Sequence, residues 1–229
     1  MTRSKSSSRA AAMLDLWRPP VNAGEPFGCM ATTYTFTPEL FEEQCLARFL
    51  GIDSEPSKET LAFLLEREER LGGVYAGVLV DRAHSGVEHS LRWDVLPVAV
   101  PGGKQHAKLS LLVWARHVRL IVASANVTDA GYRINQEVAV GLDFTQASSD
   151  RALLDDALAI LDRLLGLVPG AADSSPEIVR ARTFLAQVRR QTVDWKRAKP
   201  GGLRRYLTVT LPAQGEQPAQ GALETALAK

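Results

Sequence analysis

The chain has 229 residues, of which 45% are hydrophobic and 23% are charged, and its formal net charge is +1 at pH 7. This composition excludes a wholly disordered chain and a histone-like polycation, and the length suits one large domain or one and a half small ones. The two cysteines are too few for a disulfide framework or a four-cysteine zinc site. Apolar runs are far shorter than a membrane span and no signal peptide is recognisable, so we expect a cytoplasmic protein without stable membrane insertion.

The composition along the chain predicts three parts. Residues 1–24 begin with a basic, acid-free stretch and are expected to form a disordered tail and an extended lead-in. Residues 25–211 carry the apolar patterns of a folded lobe. Residues 212–229 are rich in Gln, Ala, Gly and Pro and are expected to be disordered.

The lobe starts with alternating strands and helices. Residues 29–36 are rich in Thr and aromatic side chains, which predicts a strand. A helix then begins with Thr37 as N-cap and Pro38 as the first helical residue, and it ends at Gly51. A second helix is predicted over residues 57–71.

Strands cluster in the middle of the lobe, and helices follow them. Five strands are predicted over residues 74–81, 91–100, 106–114, 118–124 and 132–142. Two helices over residues 150–167 and 176–193, and a short strand over residues 206–211, complete the lobe. This order predicts an α/β fold in which a mixed, mostly central β-sheet is flanked by helices.

One segment of the lobe is strongly basic. Residues 176–206 contain nine Lys and Arg against two acidic residues. Two interpretations stay open: a solvated helix face, or an anion-facing surface suited to nucleic acid.

Motifs for metal or nucleotide binding are absent from the sequence. Gly102, Gly103 and Lys104 do not form a phosphate loop, because Gln105 follows the lysine in place of Ser or Thr. No HExxH or CxxC pattern supplies zinc ligands. We therefore expect neither a metal nor a cofactor.

The chemistry is expected to centre on His106 and Lys108. Side chains two residues apart in a strand point to the same face, so the imidazole and the ammonium project together. The ammonium can hold an anion, and it lowers the pKa of the imidazole, which keeps the nucleophilic form available. This arrangement suits attack on a phosphodiester.

The next strands bring further polar side chains toward this pair. If the hairpin turns near Arg116, Asn126 and the hydroxyls of Ser124 or Thr128 return to the same edge and can donate to phosphate oxygens. Glu137 can accept a hydrogen bond from the other ring nitrogen of His106 and set its tautomer.

This joint pattern resembles the phospholipase D superfamily, over about residues 29–142. The superfamily signature is H-x-K, an Asp after four further residues, G-S-x-N, and a downstream Asn/Glu region. The matching residues are His106, Lys108, Ser124, Asn126 and Glu137. Val113 stands at the Asp position, as is typical of the tyrosyl-DNA phosphodiesterase branch, and Ala123 replaces the Gly.

The resemblance implies a metal-independent phosphodiesterase that forms a phosphohistidine at His106, with nucleic acid or phospholipid as substrate. The basic segment 176–206 favours nucleic acid, because it offers phosphate contacts. Lys108 and Asn126 would bind phosphate, Ser124 or Thr128 would assist, and Glu137 would orient the imidazole. The superfamily uses two H-x-K units, and this chain has one. The second half-site would come from a homodimer mate or a second lobe. The alternatives are an inactive module that binds nucleic acid or protein, and a helper domain that docks a partner.

Overall fold

The centre of the protein is one six-stranded β-sheet. The computed structural model describes residues 13–52, 54, 60–86, 90–147, 150–171, 175–195, 205–214 and 216–228. The strands are β1 (Pro26–Thr33), β2 (Tyr75–Asp81), β3 (Asp94–Val98), β4 (Leu109–Trp114), β5 (His117–Ala123) and β6 (Ala139–Thr145). Their order in the sheet is β3-β2-β1-β4-β5-β6.

The sheet is mixed, with a parallel half and an antiparallel half. Strands β1, β2 and β3 run parallel, whereas β4 pairs antiparallel with β1 and continues through β5 to β6. His117 lies opposite Trp114, so the predicted hairpin turn near Arg116 is confirmed. The predicted α/β class, with a mixed central sheet, is also confirmed.

Helices cover both faces of this sheet. Helix α1 is built of three consecutive segments, of which the middle one is π-helical: Pro38–Leu40, Phe41–Leu46 and Ala47–Leu50. The others are α2 (Thr60–Leu71), α3 (Arg151–Leu165), α4 (Pro176–Thr192) and α5 (Ala222–Ala228). Among the residues described, no helix is long and apolar enough to cross a bilayer.

Two hydrophobic cores follow from the alternation of side chains along the strands. Met30 of β1 points to the core that contains helices α3 and α4, whereas Cys29 and Ala31 point to the core that contains α1. Because both faces are covered, the central strands are apolar at nearly every position, as β4 is from Leu109 to Trp114.

The predicted boundaries of helix α1 are confirmed by its ends. Pro38 occupies the first turn, where its missing N–H costs no hydrogen bond, although the Thr37 side chain forms no capping bond. Gly51 ends the helix with a φ of +68°, a left-handed conformation that favours glycine. The predicted start of the second helix, residues 57–59, lies outside the described residues.

Two predicted strands differ from the structure. Within the segment 132–142, residues Ala130–Ile134 form a π-helical turn and only Ala139–Thr145 pair as β6. The turn forms because the Tyr132 backbone N–H donates to Thr128 and the ring packs inward, where its hydroxyl accepts from Trp17 at 3.3 Å. The segment 206–211 is not a strand either; Leu211 pairs with Gln220 in an isolated bridge.

The two ends of the chain are packed more closely than the predicted boundaries suggest. Leu14 and Trp17 lie in a short 3₁₀-helix, Met13–Trp17, and both side chains are buried, whereas residues 1–24 were expected to be disordered. Residues 1–12 lie outside the described part of the chain. Near the other end, the Arg163 guanidinium donates to the carbonyls of Pro212 and Pro218, within the predicted tail. Burial of apolar side chains explains the first difference, and the hydrogen bonds of the half-buried Arg163 guanidinium explain the second.

We expect Trp17→Ala to lower the free energy of unfolding by about 3–5 kcal/mol, because the indole is completely buried and packs edge-on against Phe41. Urea unfolding followed by circular dichroism measures the change. Val21→Ala is the control, because Val21 is 91% exposed and its truncation should change stability by less than about 0.5 kcal/mol. Equal stability of the two variants would show that residues 13–24 are not part of the folded unit.

Candidate active site

The candidate site lies at the rim of the sheet where the parallel strands end. Strands β1 and β2 finish at Thr33 and Asp81, and β4 starts at the same rim with Leu109. In open α/β sheets, ligands bind outside the carboxyl ends of the strands. Residues 104–108 cross this rim just before β4 and carry both members of the predicted pair, His106 and Lys108.

Buried polar side chains hold the residues on either side of His106. The predicted strand 106–114 begins only at Leu109, because side chains replace the strand hydrogen bonds before that point. The Thr32 hydroxyl donates to the Ala107 carbonyl at 2.8 Å and accepts from the Leu109 N–H at 2.9 Å. Asp81 accepts from the Gln105 N–H at 2.8 Å. The segment is therefore fixed although it belongs to no strand.

His106 and Lys108 lie in direct contact, although they precede β4 and are not in the strand from which the sequence predicted their common direction. The Lys108 Nζ is 3.0 Å from Nδ1 and 3.3 Å from Nε2 of the imidazole, and it donates to the His106 carbonyl at 2.9 Å. The imidazole is exposed and Lys108 is half-buried. A ligand can therefore reach both groups from solvent.

The electrostatics of this pair favour a neutral imidazole. Partial burial lowers the pKa of His106, and the charges of Lys108 and Lys104 lower it further, against an opposing effect of Asp81. Burial also lowers the pKa of Lys108, and Glu137 opposes that shift. A neutral imidazole beside a cation has a lone pair available for attack on an electrophilic phosphorus.

Tyr34 packs against His106, and Lys104 and His84 in turn contact Tyr34; the sequence predicted none of these three site contacts. The Tyr34 ring centre lies 5.1 Å from that of His106 and 4.4 Å from that of His84. The Lys104 ammonium donates to the Tyr34 hydroxyl at 3.0 Å. A usable signal existed, since Tyr34 directly follows strand β1 and His84 lies just after β2, at the carboxyl ends of parallel strands.

Asn126 is linked to the site by a hydrogen bond with the backbone of Tyr34, whose ring packs against His106. The Tyr34 backbone N–H donates to the Asn126 Oδ1 at 3.1 Å, so the amide oxygen faces the backbone and the Nδ2 group points away from it. The Thr33 hydroxyl also lies 3.3 Å from this oxygen. Within the described residues, no hydrogen bond joins Asn126 to His106 or Lys108. Strand β1 therefore sets the orientation of the amide.

Ser124 and Glu137 bond to each other. The Ser124 hydroxyl donates to a Glu137 carboxylate oxygen in a very short contact, and it accepts from the Val138 N–H at 3.0 Å. The Asn135 amide lies 3.5 Å from the other Glu137 oxygen. No hydrogen bond joins Glu137 to His106 in the described part of the chain, contrary to the expected role. Instead the carboxylate bonds to Ser124, and its charge raises the pKa of Lys108, against the lowering by burial.

Thr128 forms hydrogen bonds within the turn that follows β5. Its hydroxyl accepts from the Gly131 N–H at 3.1 Å, and its carbonyl accepts from the Tyr132 N–H at 3.0 Å. These bonds start the π-helical turn Ala130–Ile134. A phosphate contact from Thr128 would require the hydroxyl to donate while it keeps this bond.

A cavity of about 790 Å³ opens beside the pair. His106, Lys108 and Lys104 line one part of it, and the rest is largely aliphatic, with Leu109 and Ile160 among the lining residues. A substrate with a phosphate at the rim therefore has space next to the imidazole.

No group of three or more His, Cys, Asp or Glu side chains suited to a metal ion occurs among the residues that the structure describes. Cys29 and Cys45 are both free and fully buried, and burial raises the pKa of each thiol. Neither cysteine can act as an accessible nucleophile.

The described part of the basic segment lies away from His106. In helix α4, Arg180 pairs with Asp94 at the start of β3, and the Gln191 amide donates to the Trp114 carbonyl at the end of β4. Both contacts are at the opposite rim of the sheet. Arg189 faces Asp162 of α3. Arg205 lies 4.0 Å from Asp150, and the other basic residues after helix α4, within 196–204, are outside the described residues.

Comparisons with known proteins return similarities of structure alone. No family model and no curated protein matches the sequence. NucT from Helicobacter pylori superposes with a TM-score of 0.38 at 12% identity, over 62% of this chain and 80% of that protein. A mutant of yeast tyrosyl-DNA phosphodiesterase superposes with a TM-score of 0.42 at 10% identity, over 76% of this chain. The match spans 38% of the yeast protein. These are similarities of chain path, and the assignment of the site rests on the residues described above.

We expect Lys108→Met to raise the pKa of His106, because the substitution removes the nearest positive charge from the imidazole. NMR titration of the imidazole C–H signals measures the pKa, and loss of one signal in His106→Gln assigns it among the four histidines. Arg116→Gln is the control, because that side chain bonds to Asn22 at the opposite rim. An unchanged or lower pKa in Lys108→Met would contradict the described contact.

Proposed function

We propose that the protein is a phosphodiesterase of the phospholipase D type, in which His106 forms a covalent phosphohistidine. One observation carries this proposal: the Lys108 ammonium lies 3.0 Å from an exposed imidazole whose pKa is lowered, at the mouth of a cavity. In the first step an imidazole nitrogen attacks phosphorus, and the bond to the leaving oxygen breaks as the P–N bond forms. In the second step water attacks phosphorus, and the P–N bond breaks.

Lys108 binds the non-bridging phosphate oxygens in this proposal. Its ammonium has three donors, and one of them is held by the His106 carbonyl. A phosphate at the rim can replace the contact with the imidazole ring and leave the carbonyl bond in place. The negative charge that grows on the oxygens is then met by a fixed cation.

Asn126 provides a second, neutral phosphate donor in the proposal. Its oxygen is held by the Tyr34 N–H, so its amide nitrogen is oriented without freedom to flip. Ser124 is coupled to Glu137, and a phosphate contact from its hydroxyl requires exchange of that bond. In this proposal Glu137 raises the pKa of Lys108, against the lowering by burial, and so keeps the phosphate-binding ammonium charged.

The proposed reaction needs a proton donor for the leaving oxygen. The superfamily resemblance assigns that role to the histidine of a second H-x-K unit, and this sequence has one unit. We propose that the second half-site comes from a second copy of the chain or from a further lobe. In a symmetric dimer, one His106 attacks while the other protonates the leaving group.

Nucleic acid is the proposed substrate class. Lys104, His106 and Lys108 place two cations and a nucleophile within five residues at one exposed rim, which suits a polyanionic strand. Helix α4 does not support this proposal, because Arg180 is paired with Asp94 at the opposite rim and Arg189 is paired with Asp162 of α3. An inactive module that binds nucleic acid or protein is the second candidate, favoured by the single H-x-K unit.

Hydrolysis of bis-p-nitrophenyl phosphate in EDTA tests the proposed chemistry. We expect turnover by the wild-type chain and a loss of at least about a hundredfold in His106→Ala, because the nucleophile is gone. His117→Gln is a matched control, because His117 is buried at the opposite rim and bonds to Asp143. Equal rates for wild type and His106→Ala, or a requirement for added metal, would reject the mechanism.

The same variant separates the two candidate functions. Salt-sensitive binding of single-stranded DNA that survives His106→Ala, without turnover by the wild type, would favour the binding module. Turnover that is lost in His106→Ala would eliminate it.

A mixing experiment tests the source of the second half-site. If two copies of His106 form one site, an excess of His106→Ala chains should suppress wild-type activity more than simple dilution does, because mixed dimers lack one imidazole. Light scattering on the same samples should give the mass of a dimer. Activity that stays proportional to the wild-type chain would exclude a site shared between two copies.

A further inference from the structure

Asp81 is a buried carboxylate directly behind the candidate nucleophile, and the proposed mechanism does not use it. It is 6% exposed and is the last residue of strand β2. Each of its oxygens accepts one backbone N–H: Oδ1 from Ala83 at 3.0 Å and Oδ2 from Gln105 at 2.8 Å. A carboxylate is the side chain that can accept on both sides at once, since an amide presents one oxygen and one donor.

The two bonds of Asp81 hold two separate segments that meet again at His106. Gln105 precedes His106, so the first bond fixes the backbone that carries the imidazole. Ala83 precedes His84, whose ring meets Tyr34, and Tyr34 in turn meets the His106 ring. Two chains of contacts therefore run from Asp81 to the His106 imidazole, one through Gln105 and the other through His84 and Tyr34.

Further hydrogen bonds of Gln105 add to its bond with Asp81 in holding the backbone before His106. Gln105 is 2% exposed, and its side-chain amide lies 3.4 Å from the Leu79 carbonyl, 3.4 Å from that of Thr33 and 3.2 Å from that of Ala107. The ends of β1 and β2 are thereby tied to the same short segment. Without the Asp81 bond, the Gln105 N–H would be a buried donor without a partner.

We propose that Asp81 is a positioning residue for the proposed reaction, holding the His106 imidazole at a fixed place and angle from two sides of the rim. This inference rests on the proposed function for its kinetic consequence, and on the described contacts alone for its structural one. Misplacement of a nucleophile by about 1 Å costs about a hundredfold in rate.

The charge of Asp81 has a second, measurable effect. The groups that act on His106 are Lys104 and Lys108 on its own segment, Tyr34 after β1, and Asp81 at the end of β2. His84 packs on the far side of the contact, against Tyr34. Both lysines lower the pKa of His106, and Asp81 raises it. Removal of the Asp81 charge should therefore lower the pKa of His106 further and move the acidic limb of kcat/KM to lower pH.

The test compares Asp81→Asn with Asp81→Glu in the full chain. We expect Asp81→Asn to lower kcat on bis-p-nitrophenyl phosphate by about ten- to a hundredfold with KM within twofold, and to lower the pKa of His106 in an NMR titration. Asp81→Glu keeps the charge but displaces the acceptors, so it should lose kcat with little change in that pKa. Asp143→Asn is the control, because its carboxylate serves His117 and Arg119 at the far rim.

The outcomes separate this inference from the proposed function. If Asp81→Asn does not fold, Asp81→Glu tests the positioning role alone: a loss of kcat supports that role, and retained kcat contradicts it. Retained kcat in a folded variant, together with an unchanged pKa of His106, would overturn the positioning role while leaving the phosphodiesterase proposal intact. Absence of turnover in the wild type would reject the phosphodiesterase proposal. The pKa of His106 in Asp81→Asn would then test Asp81 alone. A lower pKa would support the contact between Asp81 and His106, and an unchanged pKa would refute it.

Discussion

The arrangement at the rim depends on the two hydrogen bonds between the Thr32 hydroxyl and the backbone of residues 107 and 109. Strand β4 is antiparallel to β1, and its regular pairing with β1 stops at Ser110 opposite Ala31. Beyond that point β4 is still attached to β5, since the Ala123 N–H donates to the Lys108 carbonyl at 3.0 Å, but it has no further strand pairing with β1. The Thr32 hydroxyl extends the attachment by acting as donor and acceptor at once, so the segment that carries His106 and Lys108 stays on the rim.

The placement of polar groups inside the fold produces the electrostatic character of the surface pair. Thr32, Asp81 and Gln105 are all buried, and their side chains bond to backbone groups of the segment that carries His106. The exposed layer above them carries Lys104, His106 and Lys108. Partial burial and the two lysine charges together outweigh the opposing effect of Asp81 on the pKa of His106, so the neutral form is favoured.

The two cores explain why the rim is rigid on one side and open on the other. Helix α1 packs its aromatic side chains under β1, where Phe36, Phe41 and Trp93 meet edge to face. On the other face, the cavity beside His106 is bounded by Ile160 of helix α3 and by the segment that contains Leu211. Arg163 holds that segment through backbone carbonyls. His106 therefore lies at the rim between the sheet face that is covered by helix α1 and the sheet face where the cavity opens.

The sequence by itself determined the mixed sheet, the ends of helix α1, the hairpin at Arg116 and the contact between His106 and Lys108. These features depend on local periodicity, on turn and cap chemistry, or on residues two apart, so the printed residues suffice to predict them. Only the tertiary structure decided that Tyr34 and Asp81 lie beside the imidazole, that His84 packs on Tyr34, and that Glu137 bonds to Ser124. The physical reason is that these contacts join strand ends distant in sequence, and the parallel packing of β1 and β2 brings those ends together.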